Sequence, residues 1–496
     1  MSVDNAFVFR SCAVFLVLSL LLMASAASAQ VSQTQISQDD FSNTTSMHAT
    51  EVEPASHSEG NVIVTVFQMG RFTDGGASDI GFATSTDRGI TWTHGRLPGI
   101  TKLEGTGTYD RASDPSVTYN KKFKLWLAET LALSESGGAH GQAVLASSSK
   151  DGITWNNPAV VADAGRTGFF DKPWIGCDNT STSPFYGNCY MAWDDFNLGD
   201  QLFMSTSTDG GATWSAKKTT SGNHFGTGGN PLVQPNGTVI VPAGDQFLSS
   251  IIAFTSTDGG NTWGSPKTVT TISEHGVAGG MRAPALPGAV IDTSGKVYVV
   301  WADCRFRNNC SSNDIVMTTS TDGVTWSAVK RVPIDPANST ADHFIPGFTI
   351  QAGTSGSTAH LALTYNFFPV SNCGSNCNLS TGYITSPDGG NTWTRPKLLA
   401  TGMNPNWLPG TTSGQMVGDY QAVSYGGLRT HGVFAKANAK VGSTFDEAMN
   451  TNTAGLPGES AEGPAVLSSA SDKPMKHPHS DVPKRTKPYH DDLGRD

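Results

Sequence analysis

Charged and aromatic side chains recur in short stretches beside proline or glycine. HATEVEP groups His48, Glu51 and Glu53, YDRASDP groups Tyr109, Asp110, Arg111 and Asp114, and DKPW groups Asp171, Lys172 and Trp174. GGMRAP supplies Arg282, DHFIP supplies Asp342 and His343, and GQMVGDY supplies Gln415, Asp419 and Tyr420. Arg71 and Arg305 follow apolar runs that read as strands. Only 15% of the residues are charged, so such groupings stand out. Guanidinium and ammonium groups bind carboxylates, and carboxyl, imidazole and phenol groups move protons. Brought to one mouth, this set suits a glycosidic bond beside an acidic sugar. Turn capping also accounts for Asp114 and Asp342, stacking beside the Cys304–Cys310 loop for Arg305, and a solvated position for Glu53.

The repeats say how such stretches converge. STDGGATW at 207–214 has copies at 85–92, 148–155, 256–263 and 386–393, and STDGVTW at 320–326 is one residue shorter. Each copy follows strand-like runs such as IGFATS or IIAFTS, with further runs upstream and one after the tryptophan. Four strands per unit at a spacing of roughly 50–65 residues predict the blades of a β-propeller. The box is expected to turn between the third and fourth strands. Its Asp accepts turn amides, its Gly takes positive φ and its Trp packs on the blade, a structural rather than catalytic role. Six boxes suggest six blades. MVGDYQAVSY, RTHGVFAKA and STFDEAMN add three strands without a box, and VSQTQIS near the N-terminus supplies the fourth. The expectation is an all-β, seven-bladed β-propeller closed by strands from both ends of the chain, with six blades as the alternative. Its active mouth is placed at the N-terminal ends of the innermost strands, on the face opposite the boxes.

Arg10, the apolar run AVFLVLSLLLMA and ASAASAQ predict a signal peptide over residues 1–29, too short to span a membrane. The propeller then covers 30–455, and a Pro-, Ser- and Lys-rich disordered tail covers 456–496. Secretion agrees with the six remaining cysteines, which fall in local pairs 177/189, 304/310 and 373/377. A zinc site is the rival reading of those cysteines, but zinc spacing is lacking. A net charge of −10 without a basic patch argues against nucleic acid. No cofactor is required, and a structural Ca²⁺ in the channel is compatible although no ligand loop specifies it. The chain is expected to be a monomer.

The boxes resemble the Asp-box, or bacterial neuraminidase, repeats of the sialidase superfamily, over about residues 60–393. The resemblance implies hydrolysis at a terminal acidic sugar, with an anionic glycan as partner. Exo-sialidases use three arginines on the substrate carboxylate, a Tyr nucleophile paired with Glu, and an Asp acid. By position these fall to Arg111, Arg282 and Arg305, to Tyr420 with Glu51, and to Asp74 or Asp110. The Arg-Ile-Pro motif is absent. Seven-bladed relatives imply a lyase or glycosidase on rhamnose–glucuronate linkages, with His48 or His343 as acid/base and Arg111, Arg282 or Lys172 on the uronate. Arg71, Asp171 and Gln415 complete the expected substrate contacts. A non-catalytic glycan-binding propeller is the third reading, with Trp174, Trp407 and Phe306 as platforms.

Overall fold

The computed structural model describes residues 31–458 and 472–475. The expected signal segment and most of the expected tail lie outside them. Leu456–Pro457, placed at the start of that tail, instead pairs as a strand with Arg429 and Thr430. No helix among the described residues is long and apolar enough to cross a membrane.

The chain is all-β. Antiparallel strands follow one another in sequence order, and each group of four forms a meander. The first meander runs Glu51–Glu59, Val62–Arg71, Ala77–Ser85 and Thr93–Arg96. The second, 111–163, joins it through one bridge, Ala77 to Ala112. Four further meanders follow within 170–219, 232–271, 288–331 and 342–403. The last sheet is composite. Ala422–Gly426, Arg429–Ala437 and Glu447–Asn452 receive the N-terminal strand Gln33–Gln35, whose Gln33 lies opposite Asn452. The first strand of each group lies against that of the next, and Ala422–Gly426 lies against Glu51–Glu59.

Alternating apolar residues explain why the sheets pack face to face. In the second strands, Val64, Val66, Leu127, Met191, Trp193, Val299 and Trp301 are buried. The local cysteine pairs are disulfides, 177–189, 304–310 and 373–377, which removes the zinc reading. Disulfides of this kind persist in oxidising compartments.

The boxes lie between third and fourth strands. Asp87 accepts from the amides of Ile90 and Thr91 at 3.1 and 2.9 Å, and Trp92 Nε1 donates to Gly89 O at 3.2 Å. In the copy ending at Trp155 the serine bonded to the box aspartate is Ser149, so this too is the short form. The amides of Thr325 and Val324 hold the Asp322 carboxyl down to about 2. Asp322→Ala is therefore expected to destabilise the fold by about 1 kcal/mol, the usual cost of losing a capping acceptor. The urea midpoint measures that cost, and activity is expected to stay at the wild-type level.

Candidate functional site

Four innermost strands carry the same irregularity. Glu53, Asp114, Lys172 and Ile345 each precede a proline and each has positive φ, 58°, 45°, 45° and 48°. At each one the pairing with the second strand slips. Proline has no amide hydrogen to give the ladder, and the residue before it forms a bulge that re-aims its own side chain. Backbone that L-residues avoid is held in place by the neighbouring sheets.

Three of the re-aimed side chains meet. Lys172 Nζ lies 2.9 Å from Asp114, 2.8 Å from Asp419 and 3.9 Å from Glu53, all buried. Arg282 grips Asp419 with two nitrogens, Nε at 2.7 Å and a terminal nitrogen at 2.5 Å. Glu53 accepts from Gln68 Nε2 and, at 3.2 Å, from the Asp419 amide. Burial pushes the Glu53 carboxyl up to about 7 against the pull of Lys172. Burial also opposes ionisation of Asp419, but Arg282 and Lys172 hold its carboxyl far below the usual range. Tyr420 is pushed up by burial and by the carboxylates of Glu53 and Asp114, and its hydroxyl donates to Pro115 O at 3.2 Å. Trp174 meets the Tyr420 ring edge-on at 5.1 Å.

This network floors a cavity of about 880 Å³. Asp114, Lys172, Asp419, Tyr420 and Trp174 line its deep end. Gly60, Arg88, Thr293, Gly353 and Leu428, from turns after the innermost strands and from a box, line its rim. The cavity thus opens on the box face, not on the expected one. At the expected end, residues 409–418 run from the first sheet to the approach of the fifth. Thr412 donates to Thr73 O at 3.1 Å, Glu53 to Val417 O at 3.2 Å, and Gln415 to Gly280 O at 2.7 Å.

The other expected site residues are separated. Glu51 is buried against Ser37 and the Met449 amide and does not pair with Tyr420. Arg71 is buried, bonded to Gly76 O and Met416. Arg111 stacks on Phe72 and pairs with Asp74 and Glu135 at 2.6 Å each. Asp110 pairs with Lys102 and Arg166. Arg305 is held bidentately by Asp303, and Gln415 serves the crossing segment through its backbone. The expected arginine triad of Arg111, Arg282 and Arg305 is therefore not assembled, because each guanidinium already has its own carboxylate. His343 is buried between Tyr365 and Phe367, and burial lowers its pKa. His343, Asp314 and Asp335 offer ligand atoms within 4.8 Å of one another, but Arg307 and Arg331 pair with both carboxylates. Two guanidiniums supply the charge that a cation would, so these residues do not fit a metal. His48 pairs with Asp39 at 2.8 Å, away from the cavity lining. Phe306 is buried in one core cluster and Trp407 packs against another, leaving Trp174 as the expected platform that reaches the cavity.

Buried carboxyls give the fold a pH signature. Burial pushes Glu51 and Asp171 up to about 8 and Asp200 up to about 7. Asp171 faces Asp194 across its strand pair and adds to the burial that raises the Asp194 carboxyl, while Asp114 and Asp200 add to the burial that raises Asp171. The unfolded chain releases these protons near pH 4, whereas the folded chain keeps them. Their contribution is full below about pH 4 and is lost as pH rises towards 8. Urea midpoints are expected to fall from pH 5 to pH 8.5. A flat or rising series would show that these carboxyls are ionised in the folded chain.

The BNR repeat-like domain family matches residues 63–283 and 185–345. No curated protein matches the sequence. Among solved structures, a protein of unknown function from Dyadobacter fermentans is 14% identical, with 85% of this chain and 98% of that chain covered at a TM-score of 0.42. An ulvan lyase from a new family of polysaccharide lyases is 10% identical, with coverages of 85% and 95% and a TM-score of 0.48. The NanB sialidase of Streptococcus pneumoniae is 15% identical, with coverages of 84% and 70% and a TM-score of 0.39.

Proposed function

This chain belongs to the BNR repeat-like domain family, and on that premise we propose a secreted carbohydrate-active enzyme that hydrolyses the terminal glycosidic bond of a glycan entering the axial cavity end-first. The proposed scaffold is a seven-bladed β-propeller. The succession of innermost strands, each against the next and the last against the first, supports that reading.

The observation that carries the function is a cavity ending on carboxylates. Its floor is Asp114, Lys172 and Asp419, with residues 409–418 crossing behind it. A polymer cannot thread such a site, so the sugar reaching the floor is a chain end. Glycoside hydrolysis needs one carboxyl that holds a proton and another that is ionised. Glu53, pushed up to about 7, holds a proton directly behind the floor, 3.9 Å from Lys172. Asp114, paired with Lys172, lines the cavity itself. Its Oδ1 pairs with Lys172, while Oδ2 has no hydrogen-bond partner among the described residues and remains to accept from a sugar. Trp174 and Tyr420 form the apolar wall. Lys172, in the lining, offers a cation to an acidic terminal sugar in exchange for Asp114 or Asp419.

The test uses oligosaccharides with sialic acid, uronate and neutral ends, and chromatography of what is released. A single free terminal sugar is expected, with release lost in an Asp114→Asn variant that still unfolds cooperatively in urea. An unsaturated uronate would replace hydrolysis by elimination. Saturable binding with no release would make the cavity a binding site only.

A further inference from the structure

We infer that Asp39, His48 and Ser46 form a second catalytic centre, a Ser–His–Asp constellation that hydrolyses small O-acyl esters. His48 Nδ1 lies 2.8 Å from Asp39 Oδ2, and His48 Nε2 lies 2.9 Å from Ser46 Oγ. Nucleophile, base and orienting carboxylate are thus in the sequence of contacts that acyl transfer requires, with each ring nitrogen facing its proper partner.

The surroundings favour catalysis as well as contact. The Asp39 side chain is fully buried, and it accepts from the amides of Phe41 at 3.0 Å and Thr50 at 3.2 Å. It is therefore a fixed acceptor that needs no rearrangement when the imidazole takes a proton. The Asp39 hydrogen bond raises the His48 pKa, and Asn43 O, 3.0 Å from Nε2, accepts from the protonated ring. Asn43 Nδ2 donates to Ser46 Oγ at 2.9 Å and so fixes the position of the nucleophile beside the imidazole. Ser46 and His48 remain half-exposed, so an ester can reach them. The acyl group must be small. A Cβ at Gly70 would lie 2.9 Å from His48 Cε1 and 2.8 Å from Ser78 Oγ, so the wall behind the imidazole is tight. The centre sits beside Gly70 and Ser78, at the end of the first sheet opposite the cavity rim, and is separate from the sugar site.

The step balances without a cofactor. Ser46 Oγ bonds to the ester carbonyl carbon while its proton moves to His48 Nε2. The tetrahedral intermediate collapses, the bond to the alcohol oxygen breaks, and that oxygen leaves with the proton from Nε2. Water then repeats the route on the acyl-serine and releases the carboxylic acid.

The experiment takes the full chain with p-nitrophenyl acetate and with a fluorophosphonate probe, followed by peptide mass spectrometry. Expected are an initial burst of nitrophenol, phosphonylation of Ser46, and a loss of about 10³-fold or more in rate for Ser46→Ala and His48→Gln. Sugar release from the cavity is expected to be unchanged in Ser46→Ala, which keeps the two centres' outcomes distinguishable. A probe that leaves Ser46 of the folded wild type unlabelled, or labels Ser78 instead, overturns the inference whatever the variants do. A wild-type rate in Ser46→Ala overturns it equally.

Discussion

Lys172→Met is expected to cost about 3–5 kcal/mol of folding free energy, the largest single effect in the molecule. Methionine keeps the length of the side chain but removes the ammonium that Asp114, Asp419 and Glu53 share. Asp419 keeps Arg282, so the charge left without a partner is that of Asp114, buried and already short of one hydrogen bond. Asp114→Asn added to Lys172→Met should return part of the loss, because an amide needs no counter-charge. Urea unfolding of the two variants measures both values. A loss below about 1 kcal/mol in Lys172→Met would mean that the carboxyls hold protons in the folded wild type and that the network is not ionic.

Trp174→Ala is expected to weaken glycan binding by about 10²-fold, or roughly 2–3 kcal/mol, the range in which tryptophan anchors fall. The ring is half-buried beside Tyr420, so its removal takes away the wall of the cavity but little of the core. Calorimetric titration of a non-hydrolysed oligosaccharide reads the affinity, and the melting temperature should shift little. An unchanged affinity would remove the axial cavity as the place where the glycan binds.

The architecture was largely legible because its signals are local. A box reports a turn, the run before it reports a strand, and cysteines four to twelve residues apart report a closed loop. VSQTQIS was legible as a missing strand only by counting what the last sheet lacked. The site was legible in part. Lys172 and Arg282 stand out by their charge, but a sequence does not show which carboxylate neutralises which cation. Arg111, Arg282 and Arg305 look alike as letters, yet Asp74 and Glu135, Asp419, and Asp303 hold them in three separate places. The signal that could have found the network is the recurrence of Glu-Pro, Asp-Pro and Lys-Pro at 53–54, 114–115 and 172–173, one per unit along the innermost strand. The mouth was misplaced because the crossing of residues 409–418 depends on long-range backbone bonds to Thr73 and Gly280. Nothing in the composition of that segment announces those partners. Asp39 and Ser46 carry no signal in the sequence because neither lies in a repeated stretch, although Ser46 stands two residues from His48.

The pairing of Gln33–Gln35 with Asn450–Asn452 also sets an order of assembly. The first strand made has no partner until the last sheet has emerged, so it must wait through the synthesis of more than four hundred residues. Every earlier sheet can complete itself from neighbours in the chain, whereas this clasp can shut only at the end. The two ends of the domain consequently lie side by side. A chain re-cut at a surface turn, with residues 31 and 458 bridged by a short linker, would exchange that late long-range closure for an ordinary hairpin without altering a single contact around Lys172.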